Sequence, residues 1–149
     1  IVSEHRMSYS NTQEMKDVVV ENANITLYAI SSSRFEVIKA AEMLKRDGIK
    51  CNIVHILWLK PFAITDRLIE PLLQSKRGIV IDPGHEIAGA SQSIAYELNQ
   101  ATRCSVKALG LYDRTKCLCP PFQNKAPDAD RICETAKEVL QDERNLVVA

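Results

Sequence analysis

Hydrophobic and polar positions along the chain follow two rhythms. Five short runs are nearly continuous in apolar and β-branched residues: 17–20 (DVVV), 25–30 (ITLYAI), 51–57 (CNIVHIL), 78–82 (GIVID) and 106–111 (VKALGL). Several lack the clean alternation of a half-exposed strand, the pattern expected when helices cover both faces of a parallel sheet. Between them the period lengthens to that of a helix. The stretch SSSRFEVIKAAEMLKRDG sets Val37, Ala40, Ala41 and Leu44 on one stripe and ends at Gly48. Ser33 stands three residues ahead of Glu36, the spacing of a capping box, and Glu42 and Arg46 are spaced for an ion pair on the wet side. A second helix gathers Ala90, Ile94, Leu98 and Ala101, and a third gathers Ala129, Ile132, Cys133, Ala136 and Leu140. A shorter one can start at a Thr65 cap and run through Leu72 and Leu73, with Pro71 expected to interrupt or kink it.

Strands alternating with helices at this spacing predict right-handed crossovers and a three-layer α/β/α domain. The polar stretch before Asp17, SYSNTQEMK, reads as a linker, and the chain begins at Ile1, so the residues ahead of it are expected to belong to something upstream. The 149 residues fit a single compact unit, and 46% hydrophobic content suffices for a core. Lys plus Arg and Asp plus Glu number 19 each, so no basic field favours nucleic acid or an anionic membrane surface. No apolar run reaches the ~20 residues of a membrane span and no signal-peptide layout opens the chain, which makes a soluble, cytoplasmic protein the expectation. Five cysteines form an odd set expected to be reduced. Cys51 and Cys133 read as small buried hydrophobes, and the lone C-x-C at Cys117 and Cys119 lacks the second ligand pair of a zinc site.

The loop after 78–82, PGHEIAGAS, looks at first like a phosphate cradle. Gly78, Gly84 and Gly89 do not make G-x-G-x-x-G, no G-K-[ST] follows, and G-x-S-x-G is absent. The remaining reading is a strand end, a Pro83–Gly84 turn and a helix start whose free N–H groups could meet an anion or a partner chain. His85, Glu86, Gly89 and Ser91 are its candidate interface or ligand residues. Ser31, Ser32, Ser33 and Arg34, at another helix start, form a candidate anion site, or simply a set of caps. His55, in mid-strand, reads as a satisfied core histidine, and the three histidines supply no triad in sequence.

Taken in order, these pieces resemble the C-terminal domain of the transketolase-like thiamine diphosphate enzymes, and most closely the β subunit of 2-oxoacid dehydrogenase decarboxylase components. Glu4, His5, Arg6 and Tyr9 match the segment that closes the preceding pyrimidine-binding domain. NITLYAI matches the first core strand, Ala40, Ala41 and Leu44 the following helix, and Leu59, Lys60 and Pro61 an LKP motif. Ile81, Asp82, Gly84, His85 and Gly89 match the GH loop, and PDADRI the last helix. Phe62-Ala63, Pro83 and Ala88-Gly89-Ala90 depart from the family pattern.

The resemblance implies a boundary near residue 16, with residues 17–149 forming the C-terminal domain. It also implies a five-stranded mixed sheet of order 1-3-2-4-5 whose first strand, 17–20, is antiparallel. The loops SSSR and PGHE would then flank the point where the sheet's connections diverge. It further implies that thiamine diphosphate and Mg²⁺ belong to other domains of the parent enzyme, with no catalytic, cofactor-binding or metal residue in this chain. Its partners would be a homodimer mate and other domains or subunits. The small-residue helix start at Ala88, Gly89, Ala90 and Ser91 is the expected two-fold contact, where a large charged residue at 89 should leave the monomer's melting intact. The alternative function is a free-standing regulatory α/β domain that binds a small anionic ligand.

Overall fold

The computed structural model describes residues 10–12, 14–114 and 123–142; Glu4, His5, Arg6, Tyr9, Cys117 and Cys119 lie outside them. Four strands, β1 (Ile25–Ile30), β2 (Cys51–Ile56), β3 (Arg77–His85) and β4 (Ser105–Leu111), alternate with α1 (Ser33–Arg46), α2 (Asp66–Ser75), α3 (Ala90–Thr102) and α4 (Ala129–Gln141). The sheet order is β2-β1-β3-β4 and every pairing is parallel. All six residues of β1 and of β2 are buried, as unbroken apolar runs require when both sheet faces are covered. One core cluster joins alternate strand residues to α1 and α4, and a second joins the opposite face to α2 and α3.

The expected fifth, antiparallel strand is not formed. Residues 17–20 lie antiparallel against the outer edge of β2, in the expected place, but contribute a single bridge between Val18 and Ile53. Side chains intercept the ladder: Asn52 Oδ1 accepts from the Val20 amide at 2.9 Å, and Asp17 Oδ1 accepts from the His55 amide at 2.8 Å. Asp17 also pairs with Arg67, and Val18 and Val19 stay exposed with no layer to cover them.

Pro71 does not break α2. Its carbonyl accepts from Thr26 Oγ1 at 3.0 Å and Asn52 Nδ2 at 3.1 Å, and the Tyr28 hydroxyl donates to the Leu68 carbonyl at 2.5 Å. Buried polar groups on the sheet thereby hold the turn on which the proline sits. Ser75 Oγ lies 2.8 Å from Thr26 Oγ1 and completes the set, so no member of this buried group is left unpaired. Thr65 occupies the N-cap of α2, although its hydroxyl makes no cap bond.

The capping box at α1 does not form either. Ser31 takes the left-handed turn at φ 50°, and Ser32 is already helical at φ −68°, ψ −15°. Ser33 is thereby carried past the cap position and buried. Glu36 turns instead to Lys39, at 2.7 Å, and to the Ala129 amide at the start of α4, at 3.1 Å. Among the described residues Glu42 and Arg46 make no ion pair. Cys51, Cys104 and Cys133 are free and buried, and burial pushes the Cys51 thiol up to about 12, which leaves it protonated at neutral pH.

The β3–α3 connection departs from a simple turn. β3 continues through Pro83 and Gly84 to His85, which pairs with Leu111 across a register shift after Ile81. The loop folds back so closely that a Cβ at Gly89 would strike the His85 carbonyl oxygen, and one at Gly110 would lie 2.6 Å from the Glu86 nitrogen. Gly89 is therefore required by the fold of the monomer, which overturns the expectation that a large residue is tolerated there. Ala88, beside it, is held left-handed at φ 58° with its amide on Gln92 Oε1.

His55 is buried at 2% exposure, but both ring nitrogens lack a hydrogen-bond partner, so it is not the satisfied core histidine expected. The Lys16 main chain lies near enough to favour the protonated ring without meeting hydrogen-bond geometry. Burial lowers its pKa below the usual 6.5, Asp17 opposes this, and Arg34 and Arg67 reinforce it.

The native His55 ring stays neutral at pH values where the unfolded chain takes up a proton, so stability must fall as pH drops below about 6.5. Thermal melts from pH 7.5 to 5.5 should show the wild type losing more than His55→Phe; equal losses would remove His55 from the acid response. In the loop, Gly89→Ala should cost about 2–4 kcal/mol through backbone collision. Ala88→Gly, by contrast, should stabilise by ~0.5 kcal/mol by relieving a left-handed residue. Urea midpoints of the two variants check both signs.

Candidate functional site

The strands that carry the two candidate loops, β1 and β3, are neighbours at the centre of the sheet. The chain leaves β1 through α1 toward β2 on one side and leaves β3 through α3 toward β4 on the other, with the two helices on opposite faces. The connections diverge at the carboxyl ends of β1 and β3, the place where open α/β sheets form a ligand crevice. Ser31–Arg34 and His85–Ser91 are thus brought to one edge of the sheet, the place that the family resemblance implied for the SSSR and PGHE loops.

Their chemistry is less open than their position. Arg34 folds back, its Nε donating to the Ser31 carbonyl at 3.1 Å. Ser33 is buried at 3% exposure and Ser91 at 0%, and neither hydroxyl has a partner. Both face the sheet as part of the packed stripes of α1 and α3, together with Val37 and Ala40 or Ile94 and Ala95. His85 stands exposed at the end of β3.

Glu86 acts as a clamp. Its Oε2 accepts from the Gly110 amide at 3.2 Å and lies 3.7 Å from Arg131 Nη2, while Arg131 Nη1 donates to the Gly110 carbonyl at 2.8 Å. The Arg131 guanidinium also stacks 3.7 Å over the Tyr112 ring. Asn124, nearly fully buried, accepts from the Tyr112 amide at 3.2 Å and donates to the Tyr112 carbonyl at 2.8 Å. Asp128 caps α4 by accepting from the Arg131 amide at 3.0 Å.

Glu36, Tyr112, Asn124, Asp128 and Arg131 therefore belong to this edge, although sequence reasoning did not assign them to it. Only Asp128 carried a local signal, as an acidic residue at the start of an apolar helical stripe. Glu36 meets Ala129 across 93 positions, a separation no local pattern reveals.

Beside the crevice lies a second concavity. The 59–64 segment after β2 and the first turns of α3 enclose a cleft of about 870 Å³. Leu59, Pro61, Phe62 and Ile64 form one wall, and Ala90 and Ile94 belong to the other. Lys60 lies on the first wall and Glu97 on the second. The Lys60–Pro61 peptide is cis. Phe62, one of the departures from the family pattern, packs inward against the core shared by α2 and α3.

The described residues contain no group of three or more His, Cys, Asp or Glu able to hold a metal ion, and no helix among them is long and apolar enough to cross a membrane.

Comparison with known proteins agrees with this architecture. The β subunit of the pyruvate dehydrogenase E1 component of Bacillus subtilis is 26% identical over 129 residues, which are 84% of this chain and 39% of that protein. Its counterpart from Rickettsia felis is 28% identical over 78 residues, 52% of this chain and 24% of that one. The chain thus spans well under half the length of these curated relatives. Among solved structures, a split-gene transketolase described as an inactive β4 tetramer superposes with a TM-score of 0.67 at 20% identity, covering 84% of this chain and 41% of that one. A 2-oxoglutarate:ferredoxin oxidoreductase from Magnetococcus marinus gives 0.61 at 16% identity, covering 91% and 21%. The model of the transketolase C-terminal domain matches residues 16–125, most of the described fold, and the chain belongs to that family.

Proposed function

We propose that this chain is an assembly domain of a thiamine diphosphate-dependent enzyme of the 2-oxoacid dehydrogenase β-subunit type, and that it holds no cofactor itself. In this reading residues 1–16 end a pyrimidine-binding domain, 17–149 form the C-terminal domain, and cofactor and Mg²⁺ reside in other parts of a cytoplasmic parent enzyme.

The observation that carries the reading is how the polar groups at the sheet's carboxyl edge are engaged. A diphosphate with its metal needs a cradle of free N–H groups and a pair of carboxylates for the ion. Here the Glu36 and Glu86 carboxylates already accept from the Ala129 and Gly110 amides, and Arg131 is held between Glu86, the Gly110 carbonyl and the Tyr112 ring. These residues do not fit the cofactor. The same engagement weighs against a free-standing anion-binding domain, because Arg131 and Arg34, the cations at this edge, already donate to the domain's own carbonyls. The curated relatives are named as subunits and one structural neighbour is described as a tetramer, which favours an assembly role for this fold.

Isothermal titration of the 149-residue chain with thiamine diphosphate and Mg²⁺ together should give no binding heat. A micromolar isotherm would sink the reading. Titration with inorganic phosphate tests the anion-binding alternative, and saturable binding lost in Arg34→Ala would favour it.

A further inference from the structure

We propose that residues 16–20 form a proton-operated latch: protonation of the His55 ring releases them from the outer edge of β2 while the four-stranded sheet stays folded. The latch is a property of this edge alone and does not depend on the assembly reading. It is held at few points, and His55 is one of them. The His55 amide donates to Asp17 Oδ1 at 2.8 Å and its carbonyl accepts from Arg67 Nη2 at 3.0 Å, while Arg67 Nη1 pairs with Asp17 Oδ2. Val18 and Ile53 exchange two main-chain bonds of 2.8 Å, and the Val20 amide donates to Asn52 Oδ1 at 2.9 Å. Val18 and Val19, 44% and 55% exposed, bury little apolar surface to add to these bonds. The attachment is therefore mostly polar and peripheral, and neither core cluster includes a residue of this segment.

The ring of the same residue is buried with neither nitrogen bonded. Protonation gives it a charge and two N–H donors with no water to hydrate them. Burial is the largest effect on the ring and opposes the charge. The charged groups that face it among the described residues come from three elements: Asp17 on the latch favours the charged ring, and Arg34 of α1 and Arg67 of α2 oppose it. Both Asp17 oxygens are already engaged, by the His55 amide and by Arg67. The Lys16 main chain also favours the charged ring, which places the start of the latch against it. Lifting 16–20 thus admits water to the ring and loses only the bonds named above, whereas the helix and strands around it belong to the core. The closed latch keeps the ring neutral below the usual 6.5, and the open one lets it titrate normally. Within that window each opening takes up a proton, so opening becomes up to about ten-fold more frequent for each pH unit lost.

Amide hydrogen exchange of the full chain, followed by NMR between pH 7.5 and 5.5, reads the latch through the four amides that bond across it: Val18, Val20, Ile53 and His55. Relative to intrinsic rates, their protection should fall by up to about ten-fold between pH 6.5 and 5.5. Their exchange should be nearly independent of low urea concentrations, because lifting the segment exposes little surface, while the β1 amides should depend on urea steeply. His55→Phe and His55→Gln should each abolish the pH dependence at the four amides. Latch amides that share the urea dependence of β1 overturn the proposal, since the whole domain would then be opening. Protection that is unchanged at low pH also overturns it, as does protection that rises because the charged ring bonds Lys16 and Asp17 in place. A pH dependence that survives in the substituted chains assigns the effect to another group and overturns the role of His55. If neither variant folds, the wild-type comparison of latch and β1 amides decides.

Discussion

The constraint on which the rest of this structure depends is the complete burial of β1. Its six residues have no accessible face, so the sheet needs a helical layer on each side and parallel neighbours at both edges of the strand. With β2 on one side and β3 on the other, the connections from β1 and β3 must diverge, and the crevice at their carboxyl ends is a consequence of that divergence. The fold therefore creates a concavity at this edge whether or not any ligand uses it. The function of the edge is decided by the side chains that line it.

Those side chains are directed inward, to the domain itself. The buried set of Thr26, Asn52, Pro71 and Ser75 fastens α2 to the sheet. Glu36 joins α1 to the start of α4, and Glu86 joins the β3–α3 loop to β4 and, through Arg131, to α4. Each bond removes a donor or an anion from the pool available to a ligand. The close passage of Gly89 past His85, and of Gly110 past Glu86, belongs to the same economy of space. Small residues here let the chain pack against itself. Among the large apolar side chains left exposed are Leu57, Trp58 and Ile87, neighbours in sequence of the cleft residues Leu59 and Ala88.

His55, with Ser33, Ser91 and Arg77, is among the few described residues that bury a polar side-chain atom without a partner. It sits one residue before the end of β2 with both nitrogens unpaired, next to the point where the Asp17–Arg67 pair straps the entering chain to the sheet edge. A neutral, desolvated ring at that position makes the native state sensitive to acid, and Arg34 and Arg67 add to the cost of protonating it.

The apolar runs at 25–30, 51–57, 78–82 and 106–111 and the helical stripes between them determined the α/β class, because both periods are local properties of the chain, whereas the order of the strands was implied by the family resemblance alone. The ordered short motifs from NITLYAI to PDADRI pointed to the family in the same way. The tertiary structure decided what depends on contacts between distant residues. The valines of 17–20 read as a strand, but Asn52 and Asp17 take the amides its ladder would have used. The Ser33–Glu36 spacing read as a capping box until Glu36 found the Ala129 amide and Ser33 was buried. Gly89 read as a point of approach for a partner, whereas the carbonyl of His85 fills the space a side chain would need. A sequence specifies which groups can bond, while the fold settles which distant partner reaches each of them first.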